Sequence, residues 1–289
     1  MGRDGVSPEA HVDLGCLRDN VREYHEKAPV PIRAHIKGHR TVEIARLQMA
    51  AGACGIAVTR VSGTSAYLDA GIGDVVVAWP WRDPALLGRF AALATRCRLS
   101  FHVDAAETIP LLGEAAARHG VTLGVRVQAD APYPMAIARL AAATPGLTLD
   151  GVTGYEPAGA TRAHAERLVE LAEGIRRAGL PCPVVALGGT TAADVVVPGI
   201  TELGAGAYAL RDAGLAALGW CALGSVAISV ADPDLLEGCG QPWHPEPYVR
   251  RGGRLLPTHV CPLILRVAAL RTSTGERWTV LNGADGGQG

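Results

Sequence analysis

The sequence predicts an α/β fold: an eight-stranded parallel βα barrel of the TIM type, followed by a small β-rich C-terminal domain. Three observations lead there. Eight short runs rich in Val, Ile, Leu and Ala alternate with segments of helical spacing, and such alternation builds parallel sheets. Eight is also the number of strands that closes this kind of barrel. Finally, the first run ends in Lys37-Gly38-His39, without the glycine-rich phosphate turn that an open doubly wound sheet carries after its first strand.

In chain order, the predicted strands are VPIRAHIK (30–37), GIAVTR (55–60), DVVVAWP (74–80), RLSFHVD (98–104), TLGVRVQA (122–129), TLDGVTGYE (148–156), CPVVALGG (182–189) and TELGAGAYAL (201–210). Helical spacing fills TVEIARLQMAAG (41–52) and AAETIPLLGEAAARHG (105–120). TRAHAERLVELAEGIRRAG (161–179) is the clearest amphipathic helix, stopped by Gly179 and Pro181. Before the barrel, a strand is expected at 10–14 and a helix at 16–27. After residue 215 the chain becomes rich in Gly and Pro, with strand-like pieces and no long helix. The expected organisation is an N-terminal segment, 1–28, partly joining the β domain; a barrel, 29–214; a β-rich domain, 215–282; and a disordered tail, 283–289.

Composition narrows the function. With 289 residues the chain can bury a large core, as one big domain or one with an appendage. Charge is balanced, 27 Lys and Arg against 28 Asp and Glu, which argues against a nucleic-acid surface. No apolar run is long enough to span a bilayer, and MGRDGVSPEA does not read as a signal peptide. Seven cysteines without CxxC spacing do not form a disulfide framework. A cytoplasmic protein is expected.

The chemistry should sit at the carboxyl ends of the barrel strands. Arg33, His35 and Lys37 alternate along the first strand, so all three share the face turned into the barrel, with Lys37 highest, at its mouth. A lone lysine there would simply end a strand and reach solvent. Two further ionisable groups below it point elsewhere, because buried charge is costly unless paired or used. A lysine whose pKa is lowered by desolvation and neighbouring positive charge is a nucleophile that forms Schiff bases, and pyridoxal phosphate is the commonest cofactor held that way.

Two further signals concern the other end of the chain. Gly188, Gly189, Thr190 and Thr191 lie between strand seven and a predicted helix start, where TIM barrels often bind phosphate. Strand eight adds Gly204, Gly206 and Tyr208. In a closed barrel, strand one neighbours strand eight, which brings a Schiff-base lysine to this phosphate cradle. Near the C-terminus, His259 and Cys261 in LLPTHVCPLIL are two apart and would face the same way on a strand. Imidazole and thiolate suit zinc, with two positions left for water or a substrate oxygen; a buried cysteine beside a chance histidine is the alternative.

Together these residues resemble the fold-type III pyridoxal-phosphate enzymes of the D-threonine aldolase and D-serine dehydratase family. RAHIKGHR is similar to that family's Arg-Pro-His-x-Lys-Thr-His segment, and the likeness continues through residues 43–61, 69–80, 101–112, 149–156, 188–191, 200–212 and 257–262. The resemblance implies that Lys37 is the Schiff-base lysine, with Arg33 and His35 tuning and positioning it. It implies that Gly188, Gly189, Thr190, Thr191, Gly206 and Tyr208 hold the phosphate and that Tyr155 lies near the cofactor. His259 and Cys261 resemble the zinc pair of the dehydratase branch; aldolases often have Asp at the second position and use manganese or a similar ion. A homodimer is implied as well. This sequence departs from the family at YEPAGA, where a Tyr-x-Gly-His stood, and at VQADAPYPMA, in place of an Asp-x-Gly-x-x-Arg-x-Gly. The stretch before the His-Cys pair is also shortened.

The expected activity is a metal-dependent lyase acting on a small-molecule substrate, a D-configured 3-hydroxy amino acid, by dehydration or retro-aldol cleavage. An amino acid racemase or epimerase, and a non-catalytic barrel carrying pyridoxal phosphate, are the alternatives; the His-x-Cys pair speaks against the latter. Of the remaining residues, His39, Arg60, Trp79 and Gln128 lie near predicted strand ends as candidate pocket residues. Asp104 is either a pocket residue or a helix cap, and Glu202 either braces the phosphate loop or pairs with an arginine. Cys54 and Cys182 read as small buried hydrophobes.

Overall fold

In the computed structural model, residues 7–156 and 159–283 are described. Eight parallel strands close into a ring: β2 (Ile32–His35), β3 (Gly55–Val58), β4 (Asp74–Val77), β5 (Arg98–Val103), β6 (Leu123–Gln128), β7 (Leu147–Tyr155), β8 (Val184–Gly188) and β9 (Glu202–Ala205). β9 returns to β2 in parallel register, Arg33 opposite Gly204 and Ala34 opposite Ala205. All eight expected strands are present. The predicted helices appear as α2 (Val42–Ala50), α5 (Thr108–His119) and α7 (Arg162–Arg177), alongside α3 (Thr64–Asp69), α4 (Pro84–Leu93) and α6 (Pro134–Ala143).

Local chemistry explains the boundaries. The Thr41, Asp83 and Thr161 side chains accept hydrogen bonds from the first turns of α2, α4 and α7, and Pro84 and Pro134 occupy helix starts where no N–H is missed. α7 buries His164, Ala165, Leu168, Ala172 and Ile175 along one stripe and ends before Gly179, whose φ of 77° suits glycine. With few aromatics, the core is aliphatic, as in Val75, Val76 and Val77 of β4, all fully buried and alternating between the strand's two faces; Phe90 and Phe101 supply an edge-to-face pair, centroids 5.9 Å apart.

The chain divides into two compact units. One comprises residues 28–34 and 52–205 and contains the barrel ring. The other comprises the described residues up to Lys27, His35–Ala51 and Gly206–Gly283. In this second unit, β1 (Glu9–Val12) joins a four-stranded sheet of order β10-β1-β13-β14, with β10 at Ile228–Ser229, β13 at Ala269–Thr272 and β14 at Arg277–Thr279. The unit also holds α1 (Leu14–Lys27), α8 (Ala213–Ala217), the hairpin of β11 (Tyr248–Arg251) with β12 (Arg254–Pro257), and α9 (Val260–Ile264). Beyond Gly283, the tail expected over 283–289 lies outside the described residues.

Inside the ring lies a buried charge network. Glu202 accepts from Arg33 Nε at 3.0 Å and pairs with Arg126; Arg33 also reaches Asp74 Oδ1 at 2.7 Å. β6 and β9 are three strands apart, so the Arg126–Glu202 pair crosses the interior. Burial pushes the Glu202 carboxyl up, but the two guanidinium groups outweigh it and hold it at about 2. A bulge where β6 meets β7 frees Asp150, whose carboxylate bonds Ser100 Oγ, Arg98 and Thr148.

Candidate active site

The carboxyl ends of β8, β9 and β2 lie side by side, since Gly188 pairs with Gly204 and Arg33 pairs with Gly204 from the other side. β8 ends at Gly188, and a carbon added there would stand 3.0 Å from the Gly154 carbonyl oxygen and 3.3 Å from Tyr155 Cβ. Gly189 follows with φ 120° and ψ 144°, a conformation that belongs to glycine, and opens a 3-10 turn over Thr190–Val195. Its N–H donates to Gly204 O at 2.8 Å. Thr190 and Thr191 are half-buried beside it, and Tyr155, at the end of β7, is exposed.

β2 is shorter than expected. It stops at His35, and Ile36–Gly38 form a 3-10 turn, so Lys37 is not a strand residue in line with Arg33. It sits exposed in that turn, three residues past Ala34. Gly206 lies against the same segment: a carbon added to it would be 2.5 Å from the His35 carbonyl oxygen, so only glycine permits this approach. His35 is half-buried at the strand's end.

Two of the expected cofactor residues have protein partners of their own. Arg33 does share the inward strand face, but its guanidinium is taken up by Glu202 and Asp74, the first residues of β9 and β4, at the amino ends of the strands. That is the opposite end from the chemistry expected of the barrel. The Tyr208 ring is fully buried and stacks on Tyr24 of α1 at 4.3 Å, and its hydroxyl is 3.1 Å from His25 Nε2. Glu202 takes the arginine-pairing role, Asp104 pairs with Arg82 at 3.0 Å, and the Cys54 thiol donates to Glu202. His39 is no pocket residue. It is fully buried, with Nε2 3.1 Å from Gln48 Oε1 and Nδ1 accepting from Thr41 N–H at 3.2 Å. Burial lowers its pKa to about 4.

His259 and Cys261 are not on a strand either. β12 ends at Pro257, and His259 is the residue that starts the short helix α9, which contains Cys261. The two side chains still act on one another, each favouring the charged form of its partner. Burial raises the thiol, but His259 outweighs it, and Lys37 adds to that effect; the net direction is down. On His259, burial acts downward while Asp212 and Cys261 raise it to about 10. His259 Nδ1 lies 3.4 Å from Asp212 Oδ2. Asp212, buried at the foot of α8, is the residue that sequence reasoning missed; its only sequence signal was its place before a helix.

The residues can be tested against the groups they would hold. The glycine turn after β8, which a side chain would fill, suits a phosphate, and the exposed lysine just past β2 suits an aldehyde. Imidazole and thiolate are fitting donors for zinc. Among the described residues, no group of three or more His, Cys, Asp or Glu is arranged as a metal site.

A family model described as the N-terminal domain of alanine racemase matches residues 12–205. The chain belongs to that family. Two curated proteins illustrate the neighbourhood of this alanine racemase-like chain. D-threo-3-hydroxyaspartate dehydratase of Delftia sp. strain HT23 is 30% identical over 78% of this chain and 66% of its own length. D-threonine aldolase of Arthrobacter sp. is 29% identical over 74% and 63%. The chain thus spans less than two thirds of the length of these relatives. Their names are those of the enzyme group that the sequence resemblance implied. The solved dehydratase from Delftia sp. HT23 superposes with a TM-score of 0.82 at 24% identity, covering 97% of this chain and 99% of that one, which shows the shared fold. Its solved variants include a cysteine-to-alanine change in the metal-free form and a histidine-to-alanine change two positions earlier.

Proposed function

We propose that this chain is a pyridoxal-phosphate- and metal-dependent lyase for a D-configured 3-hydroxy amino acid, with dehydration as its reaction and retro-aldol cleavage as the second reading. The observation that carries it is that α9, which contains Cys261 and starts at His259, packs against the Ile36–Gly38 turn that carries Lys37. A racemase or a passive carrier has no use for an imidazole–thiol pair beside its lysine. The dehydratase and aldolase relatives support the same reading.

In this assignment Lys37 holds the cofactor aldehyde through its amine, and Gly188, Gly189, Thr190, Thr191 and the backbone at Gly206 receive the phosphate. Tyr155 flanks the ring, and His35 positions the lysine's turn. The bound cofactor supplies an electron sink for the charge left at Cα. A divalent cation on His259 and Cys261, zinc by the donor chemistry, supplies Lewis acidity at the substrate's 3-hydroxyl. With its amine free, Lys37 would serve as the base that takes the Cα proton. Dehydration would need loss of the Cα proton to Lys37 and of the 3-hydroxyl as water; retro-aldol cleavage would need a base to take the 3-hydroxyl proton as the Cα–Cβ bond breaks and a proton returned to Cα. Thiolate ligation favours dehydration, and the spacing of His259 and Cys261 equals that of the two residues varied in the Delftia dehydratase. A homodimer is part of this proposal. Among the described residues, no helix is long and apolar enough to cross a membrane.

The test is product analysis with D-threo-3-hydroxyaspartate, D-serine and D-threonine, with and without Zn(II). Keto acid and ammonia support dehydration, glycine with an aldehyde supports cleavage, and L-enantiomer as sole product contradicts both.

A further inference from the structure

The Asp212 carboxylate is buried and used three times over. Oδ1 accepts from Leu215 N–H at 2.9 Å, capping α8; Oδ2 accepts from Val260 N–H at 3.2 Å, at the start of α9; and Oδ2 lies 3.4 Å from His259 Nδ1. The two segments are clamped by backbone as well, because Gly214 N–H donates to Thr258 O at 2.9 Å. A carbon on Gly214 would lie 2.5 Å from that oxygen, so glycine is required for the approach. Immediately before Asp212 the chain is strained. Arg211 takes a left-handed φ of 53°, held by an ion pair with Glu23 at 2.7 Å and by its position over the Trp220 ring. Strain of this kind survives where surrounding contacts over-determine it, and it gathers at functional sites.

From this arrangement we propose that Asp212 is the positioning residue of the His259–Cys261 pair: it holds the imidazole by Nδ1, so that the other ring nitrogen stays available with Cys261 Sγ to a divalent cation. The proposal rests on the metal reading of the preceding section. With both oxygens committed to backbone N–H groups and the imidazole, Asp212 orients a ligand instead of becoming one. A carboxylate behind a metal-binding histidine fixes its tautomer and ring orientation, and loss of such a partner typically weakens metal binding about 10- to 100-fold.

The experiment is Co(II) titration of the full chain and of D212N and D212S, together with ¹⁵N-histidine NMR of the metal-free protein. Serine caps helices well, so D212S keeps the start of α8 while removing the carboxylate from His259. Folded variants with Co(II) affinity reduced about 10-fold or more, and an altered thiolate-to-cobalt absorption band, are expected. A folded variant matching the wild type in affinity and band overturns the proposal. If both variants unfold, the wild-type spectrum decides: a proton on His259 Nδ1 in a strong hydrogen bond supports it, and an Nδ1 without that bond overturns it. A wild type that takes up no Co(II) overturns the metal reading itself, and the orientation of His259 by Asp212 is then judged on the NMR signal alone.

Discussion

Tyr155 and Gly188 stand opposite one another in the register of β7 and β8, and the Tyr155 Cβ and Cδ2 atoms lie 3.3 and 3.4 Å from where a Gly188 side chain would begin. The tyrosine leans over a position that only glycine leaves open. Gly188→Ala should therefore displace the ring and crowd the turn; overpacking of this sort costs about 1–3 kcal/mol, and cofactor affinity should fall roughly 10- to 100-fold. Absorbance titration with pyridoxal phosphate measures it. Unchanged affinity would remove both residues from the cofactor site.

The charge network inside the barrel predicts a stability effect. Glu202→Gln leaves the Arg33 and Arg126 guanidinium groups buried without their shared carboxylate, and breaking a buried pair from one side costs about 3–5 kcal/mol. Denaturant unfolding should show that loss. Arg33→Lys should likewise lower stability while cofactor affinity holds, because Arg33 faces Glu202 and Asp74. A selective loss of cofactor binding would contradict this placement.

His39 sets an acid limit. It is buried neutral, with a pKa lowered from the usual 6.5 to about 4 by desolvation. Between those values the unfolded chain binds more protons than the folded one, so stability is full above pH 6.5 and falls as pH drops towards 4, by at most roughly 3 kcal/mol from this group. His25, also lowered by burial, acts in the same direction. Comparing His39→Gln with the wild type isolates the term: the variant's unfolding free energy should depend less on pH from 6.5 to 4. Parallel pH curves would refute it.

The metal assignment separates two losses. Cys261→Ala and His259→Ala should retain the cofactor's visible absorption yet lose lyase activity at least about 100-fold, since a Lewis acid contributes several kcal/mol to the transition state. Stripping metal with a chelator should do the same to the wild type, reversibly. Full activity after complete removal of metal would contradict the assignment.

The sequence made the barrel legible because each strand carries its own aliphatic signal between turn residues, and because Thr41, Asp83 and Thr161 mark helix starts locally. Lys37 stood out at the end of a predicted strand, although the strand stops at His35 and Lys37 lies in the 3-10 turn that follows. Alternation told which face Arg33 takes but not that Glu202 and Asp74, distant in sequence, would claim it at the barrel's amino end. Tyr208 took its partners, Tyr24 and His25, from α1, a helix far from it along the chain. The THVCP segment looked extended, yet Pro262 is tolerated in the first turn of α9, so the pair meets across a helix start. Asp212 gave only a capping signal, since its second partner comes from a distant loop.

The central claim is that Lys37 carries pyridoxal phosphate. Incubating the protein with the cofactor, reducing with borohydride and mapping the peptides tests it most directly. A phosphopyridoxyl adduct on Lys37, absent in Lys37→Ala, is the predicted result; folded protein with excess cofactor and no adduct there would contradict the account.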